Sequence, residues 1–435
     1  RLDLAQWVIR QTKAGGAEQV AVFLSNSRQV EVEYRDKKLD KLIESTRNSM
    51  SLQIYSGKRY SAHSTNDLRR DALQKFIDEA LRSTTYLTVD EFRSLPDPKY
   101  YPAKMDRDLK VHDTSYESLD SPGRIKMAAA IEGAAMGESS AIISTTAGYS
   151  DSHDEWTRVH SNGLVAEDER TSFSAGAEVT VKDAEGGRPE DWEYATTCFY
   201  TDLPDPVWLG KSAARRAVRK MGQKKIKSGR YTMVVENRAG SRLISLLTSP
   251  MSAGALQQKR SWLDGMLGKK IASERLTIID DPFLEKGLAS RQVDGEGMAA
   301  QKRTMIEKGV LQQYYVDNYY GKKLGMQPTT GGSSNLLLAS GTRSADEIIK
   351  GVPNGILVNG FLGGNFNSTT GDFSFGIVGA LIENGTLTTP LHEMNLSGNA
   401  REFWGQLADI GNDPYPYSNW RIPTLLFDGV AFSGL

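Results

Sequence analysis

Apolar positions recur at helical spacing over residues 2–13, where Leu4, Trp7 and Val8 share one face. Alternation then takes over: Val20, Val22 and Leu24, followed by Val30, Val32 and Tyr34, predict two strands around Ser25-Asn26-Ser27. Met50, Leu52 and Ile54 continue the period of two into a turn at Ser56-Gly57. Leu73, Phe76, Ile77 and Ala80 predict a helix over 67–82, and "DPKYYPAK" reads as a loop. Ser121-Pro122 has the form of a helix cap followed by proline, with the helix running to about Gly137. A β-rich region follows over about 140–200, and Asp205-Pro206 opens another helix, to about Gly222.

Past "GQKKIKSG" (222–229) the texture changes. Gly and Asn become frequent, and hairpin turns are expected at Thr370-Gly371-Asp372 and Glu383-Asn384-Gly385. Phe373, Phe375 and Ile377 alternate, and helices are expected near 241–249, 343–350 and 398–410. The pattern predicts an α+β protein of two domains. Residues 1–222 form an N-terminal α/β domain with antiparallel sheets, and residues 223–435 a mostly β, barrel-like C-terminal domain.

Composition narrows the function classes. A chain of 435 residues exceeds one ordinary core. Its net charge of −1 supplies no global field for nucleic acid. Lys211–Arg230 holds nine Lys or Arg and no acid, but Ala214, Ala217, Val218 and Met221 predict a solvated helix with an apolar inner face. The single cysteine, Cys198, excludes an internal disulfide and suits a reducing compartment, so a cytoplasmic location is expected. No apolar run reaches the length of a membrane span, and the opening "RLDLAQWVIRQTK" has no signal-peptide core.

Candidate chemistry is sparse. The five histidines are His63, His112, His153, His160 and His392. His392-Glu393 lacks a second histidine at 396 or 397, where Leu396 and Ser397 stand. His153 and His160 are seven residues apart, which on a strand places them on opposite faces. Gly210-Lys211-Ser212 resembles the end of a phosphate loop, but Asp205 occupies the required first glycine. No G-x-S-x-G or G-x-G-x-x-G occurs. Cys198 reads as a core thiol, and Gly295 and Gly297 of "DGEG" as setters of backbone geometry.

Three stretches carry a resemblance. They are "DGEGMAAQKRTMIEKGVLQQYYVDNYYGKKLG", "GILVNGFLGGNFNSTTGDFSFGIVGALIENGTLTTPL" and "LSGNAREFWGQLADIGNDPYPYSNWRIPTLLFDGVAFSG". Together they resemble most of the C-terminal part of the TldD/TldE (PmbA) family, metallopeptidases also called modulators of DNA gyrase. The resemblance implies H-E-x-x-x-H and a distant cysteine as metal ligands in TldD-type subunits, and their loss in TldE-type subunits. Here the corresponding helix is "SRLISLLTSPMSAGAL", residues 241–256. The two histidine positions fall on Ile244 and Ser249 and the glutamate position on Ser245, and the closing segment has no cysteine. Serine replaces neither an imidazole ligand nor a carboxylate base.

The resemblance therefore implies a non-catalytic TldE/PmbA-like subunit, with no catalytic residue, metal or cofactor of its own. Its partner would be a TldD-type subunit holding a zinc-type metal, and its substrate an extended, unfolded or short peptide read by strand addition. A stand-alone homodimeric peptide-binding protein is the alternative. A gyrase- or nucleic-acid-associated regulator is a weaker one.

Overall fold

The computed structural model describes residues 1–435. Helix α1 (Leu2–Ala14) leads into strands β1 (Gln19–Arg35), β2 (Lys38–Ser56) and β3 (Arg59–Thr65), and then α2 (Arg70–Thr85). A long connector reaches α3 (Ser121–Met136), β4 (Ile142–His160), β5 (Val165–Val181), β6 (Glu190–Thr197) and α4 (Pro206–Val218). The strands form one six-stranded antiparallel sheet in the order β3-β2-β1-β4-β5-β6.

The helices cover one face of that sheet in two pairs. Helices α1 and α2 bury Val20, Val22, Leu24, Met50, Leu52 and Ile54. Helices α3 and α4 bury Val30, Val32, Tyr149, Ala175 and Ala177 at the other end. Between the two apolar patches the same face is polar: Asn26 lies opposite Glu155, and Arg28 opposite His153.

This explains a difference from the expected hairpin at Ser25-Asn26-Ser27. No turn forms there, and β1 runs unbroken through it. The polar residues pair sideways instead: Ser25 and Ser49 hydroxyls hydrogen bond at 2.7 Å, and Asn26 Nδ2 donates to Asn48 Oδ1 at 2.8 Å. The hydrophobic break marks the gap between two helix pairs, and the chain turns only at Asp36-Lys37, both with positive φ.

Two further boundaries shift. Asp120, not Ser121, caps α3, its Oδ1 accepting from the Gly123 N–H at 2.8 Å while Pro122 occupies the first turn. The expected helix at 398–410 is only α9 (Ala400–Phe403) and a 3-10 turn, Trp404–Gln406, before a strand begins at Leu407. Phe403, Trp404 and Leu407 are all buried, and their core packing overrides the helical spacing.

The C-terminal half begins with β7 (Gly229–Val235), α5 (Ser241–Thr248), α6 (Ala253–Gln257), β8 (Ile278–Asp280), β9 (Arg303–Glu307), β10 (Val310–Leu311) and α7 (Asn318–Leu324). It continues through β11 (Leu336–Leu338), α8 (Ala345–Lys350), β12 (Asn354–Phe366), β13 (Asp372–Glu383) and β14 (Thr386–Asn399). After α9 come β15 (Leu407–Ile410), β16 (Trp420–Arg421) and β17 (Leu425–Ser433). Strands β14-β13-β12-β7-β17 follow one another, and β14 pairs back to β17, closing a five-stranded barrel with β15 attached. A second, small sheet has the order β10-β9-β8-β11-β16. The barrel-like expectation for this half therefore holds. Its largest apolar cluster runs from the barrel interior to Trp262, Tyr314 and Tyr315. No helix is long and apolar enough to cross a membrane.

Candidate functional site

Strand β7 is buried at Met233, Val234 and Val235 and ends against a tight turn into α5. Gly240 at that turn has no room for a side chain, because a Cβ there would stand 2.6 Å from Ile422 Cγ2. The helix then buries Leu243, Ile244, Leu246 and Leu247, and Trp262 Nε1 donates to the Leu246 carbonyl at 3.1 Å. It stops at Thr248, and Pro250 sits in the 3-10 turn that follows. Ile244 thus faces the core, whereas Ser245 and Ser249 lie on the outer face. Ser245 Oγ donates to the Arg242 carbonyl at 2.6 Å.

The outer face of α5 borders a groove of about 450 Å³, lined among others by Trp192, Arg238, Ser241, Arg242, Asn359 and Leu362. Trp192 and Leu362 form apolar lips, 45% and 52% exposed. Strand β12 forms the floor. It pairs with β7 in parallel only over Gly355–Val358, so from Asn359 to Phe366 that edge carries no strand. Gly363 (φ 55) and Gly364 (φ 102) give the free edge its irregular course. A Cβ on Gly364 would collide with the Ser374 carbonyl.

Buried charges fix the opposite wall. Arg238 Nη1 donates to the Trp192 carbonyl at 2.8 Å, and its guanidinium lies 3.9 Å from the Trp192 ring centre. It also pairs with Asp191 at 3.2 Å and Glu193 at 3.4 Å. Arg216 makes a two-pronged pair with Glu236 at 2.6 Å for each bond, and Lys220 reaches Asp191 at 3.2 Å. Burial pushes the Glu193 carboxyl up, against the pull of Arg238 and Arg216. These pairs join α4 and β6 to the turn before α5. Within the basic stretch they pair Arg216 and Lys220, and Arg215 pairs with Glu138 at 2.5 Å.

A catalytic metal does not fit the helix. From Ala239 to Leu263 there is no His, Cys, Asp or Glu, so neither a ligand nor a carboxylate base stands on it. Cys198 is buried elsewhere, beside Leu109 and Val111, and burial pushes its thiol up. His392 lies on β14 beside Glu393 and Lys225. His153 and His160 take opposite faces of β4, as their spacing predicts, and the structure does not bring them together.

The sequence reading missed a second polar chamber, of about 190 Å³, on the sheet face opposite the helices. Arg93, Arg158, His160 and Glu296 line it with Tyr55 and Tyr60. Glu296 belongs to the "DGEG" turn, whose Asp294 Oδ1 accepts from the N–H groups of Glu296 and Met298 at 2.9 and 3.0 Å. Its own Oε2 accepts from the Asn318 N–H at 2.7 Å. Burial raises the Glu296 carboxyl to about 7 and lowers His160 to about 3. Gly297 has positive φ and leaves no space for a Cβ beside Leu164, so the glycine requirement was legible even though the carboxylate's burial was not.

Comparison with known proteins places this architecture in a metallopeptidase-related class. Three family models match in succession: PmbA/TldA metallopeptidase domain 1 over residues 20–84, the central domain over 115–221 and the C-terminal domain over 228–434. The chain belongs to the PmbA/TldD family. It is 27% identical to Metalloprotease PmbA of Escherichia coli O157:H7 over 431 residues, covering 97% of this chain and 93% of that protein. It is 27% identical to the PmbA homologue of Haemophilus influenzae over 428 residues, with the same coverage. A crystal structure from Bacteroides thetaiotaomicron, of a protein that carries the name modulator of DNA gyrase, superposes with a TM-score of 0.97 at 43% identity, covering 100% of this chain and 99% of that one. TldE of Thermococcus kodakarensis shares the fold, with a TM-score of 0.88 at 20% identity over 99% of this chain and 100% of that one.

Proposed function

We propose that this chain is a TldE/PmbA-type subunit that does not itself cut, and that it serves a cytoplasmic peptidase whose zinc-type metal is held by a TldD-type partner. The observation that carries this reading is the chemistry of α5. The helix offers only Ser241 and Arg242 to the groove, and no His, Cys, Asp or Glu occurs between Ala239 and Leu263. In this reading Ile244, Ser245 and Ser249 are the degenerate metal-motif positions, and residues 1–222 and 223–435 are the two domains.

The free edge of β12 supports a peptide substrate. From Asn359 to Phe366 the edge of β12 pairs with no strand, and beside the apolar lips Trp192 and Leu362 it suits an extended peptide added as a strand. Main-chain recognition of that kind demands little of the peptide's sequence. A two-subunit arrangement is further supported by the outer edge of β2. Strand β3 covers it only over Met50–Ser56, which leaves Lys38–Ser49 open with Leu39, Leu42 and Ile43 exposed.

The test is co-purification with the TldD-type protein of the same organism, followed by a peptidase assay on each chain alone and on the mixture. The expected result is a stable complex, with cleavage only when the TldD-type chain is present and faster cleavage in the mixture. Absence of a complex, with no gain in rate on mixing, overturns the proposal. Tight binding of unfolded peptides by the chain alone, with no complex, would favour the homodimeric peptide-binding reading, for which the open β12 edge is the supporting observation.

A further inference from the structure

The polar gap between the two helix pairs holds a donor set that the peptidase reading does not use. We propose that His112, His153 and Glu169 form a binding site for a zinc-class divalent cation on the first sheet, separate from the groove at α5. The three ligand atoms lie within 4.8 Å of one another. Glu169 Oε1 stands 2.6 Å from His153 Nε2 and 3.4 Å from His112 Nε2. The two imidazoles are stacked nearly parallel, 6° between planes with ring centres 5.2 Å apart, so both rings direct a nitrogen to the same carboxylate.

Different parts of the chain supply the three groups, and the fold fixes each. His153 and Glu169 are diagonal neighbours on β4 and β5, because His153 pairs with Thr171 and Glu155 pairs with Glu169. His112 comes from the connector between α2 and α3. That connector is pinned along β5 by two bonds: the Thr171 N–H to the Val111 carbonyl at 3.0 Å and the Asp113 N–H to Thr171 Oγ1 at 2.8 Å. The buried side chains of Leu109 and Val111 hold it down from below. The buried ring of Tyr116 packs against His153 with centres 5.3 Å apart.

His153 Nε2 and Glu169 Oε1 share a proton across 2.6 Å, and a cation would take that proton's place between them. Glu117 Oε1 lies 3.8 Å from His153 Nδ1, on the far side of the ring from Glu169, at ion-pair range but beyond hydrogen-bond range. Glu155, on the same face, is already engaged by Arg1, which leaves Glu169 as the free carboxylate. Zinc takes two imidazoles and a carboxylate at about 2.0–2.2 Å, with the ligand atoms about 3.3 Å apart. The spacings here, from 2.6 Å to no more than 4.8 Å, bracket that value. Glu169 is 43% exposed, so a fourth position stays open to water. A cation here would fasten the connector to β4 and β5 between the helix pairs.

The experiment uses the full chain alone, stripped with a chelator and dialysed. It is titrated with Zn²⁺ by calorimetry and with Co²⁺ by visible absorption. The expected result is one equivalent bound, with a Kd in the micromolar range or tighter and the strong visible bands of four-coordinate cobalt. Glu169→Gln should weaken binding at least tenfold and His153→Ala should abolish it, whereas His392→Ala should leave it unchanged. Circular dichroism checks the fold of each variant, and His112→Gln, on the connector, replaces His153→Ala if that variant does not fold. No uptake by the parent chain overturns the proposal, as does uptake that survives substitution of a folded His153 or His112 variant.

Discussion

The guanidinium of Arg242 lies 4.5 Å from the ring centre of Phe375, and its Nη2 donates to the Gly363 carbonyl at 3.4 Å. One side chain of α5 therefore ties down the open edge of β12 where its two left-handed glycines bend it. Such a bond contributes roughly 0.5–1.5 kcal/mol, and the cation over the ring about 0.5–1 kcal/mol more. Arg242→Ala should speed amide exchange at Gly360–Gly364 by about tenfold, since 1.4 kcal/mol is a factor of ten in the opening equilibrium. The melting temperature should barely change, because the loss is local. Hydrogen-exchange mass spectrometry reads both, and unchanged exchange over these residues would show that β12 holds its own course.

How much of this site could be read from the chain depends on where each signal is stored. The plain helix at 241–249 was legible because its apolar spacing and Pro250 are local, and the absence of ligand side chains on it is a matter of residue identity. The hairpin glycines of the barrel were legible for the same reason: Gly371 and Gly385 have positive φ. The free edge of β12 was not. It exists because β7 stops pairing at Val235, and strand pairing across more than a hundred residues leaves no local mark. The Ser25-Asn26-Ser27 reading failed for a related reason. A run of polar residues signals a turn or a gap in the covering layer equally well, and only the packing of α1, α2, α3 and α4 decides between them. His112 meets His153 through the same non-local geometry, which spacing along β4 could not reveal.

The charge cluster at Arg238 should resist salt and tolerate no truncation. Arg238, Asp191 and Glu193 have side chains only 6–8% exposed, so ions in solution screen them little. Arg238→Ala would leave two buried carboxylates short of a cation and remove the platform under Trp192. The expected cost is about 3–5 kcal/mol, read by denaturant unfolding. By contrast, disrupting the exposed pair Lys270–Glu274 should leave stability nearly unchanged. Equal effects at the two places would mean that the cluster does not join the halves of the molecule.

The chamber at Glu296 makes a signed prediction about pH. Its carboxyl is raised from 4.5 to about 7 by burial, so between those values the unfolded chain binds fewer protons than the folded one. Stability from this group is fully present below pH 4.5 and is lost as pH rises through 7. His160, lowered from 6.5 to about 3, acts in the opposite sense. Its contribution is present above pH 6.5 and is lost as pH falls through 3. Glu296→Gln keeps an acceptor for the Asn318 N–H and removes the ionisation. It should therefore stabilise the protein at pH 8 by up to about 3 kcal/mol, from 1.36 kcal/mol per pKa unit, and leave stability at pH 4.5 nearly unchanged. Thermal melts at the two pH values measure the difference. An equal effect at both would show that Glu296 does not ionise late in the fold.

Helix α5 should not accept an H-E-x-x-x-H metal motif. Ile244 is fully buried in the barrel core between Leu243 and Leu247, while Ser249 is exposed on the far side of the helix end. An imidazole at 244 would enter an apolar site with no partner for its nitrogens, at a cost of about 2–5 kcal/mol. On a regular helix, positions five apart point roughly 140° from each other, so the two histidines could not meet one metal without distorting α5. The variant carrying Ile244→His, Ser245→Glu and Ser249→His should therefore melt well below the parent chain and bind no zinc. Building it on His153→Ala keeps the site on the first sheet from contributing. Zinc titration and thermal unfolding give the answer. One equivalent of zinc held by a stably folded variant would show that α5 can turn position 244 into the groove, and the assignment of this helix as a packing element would fall.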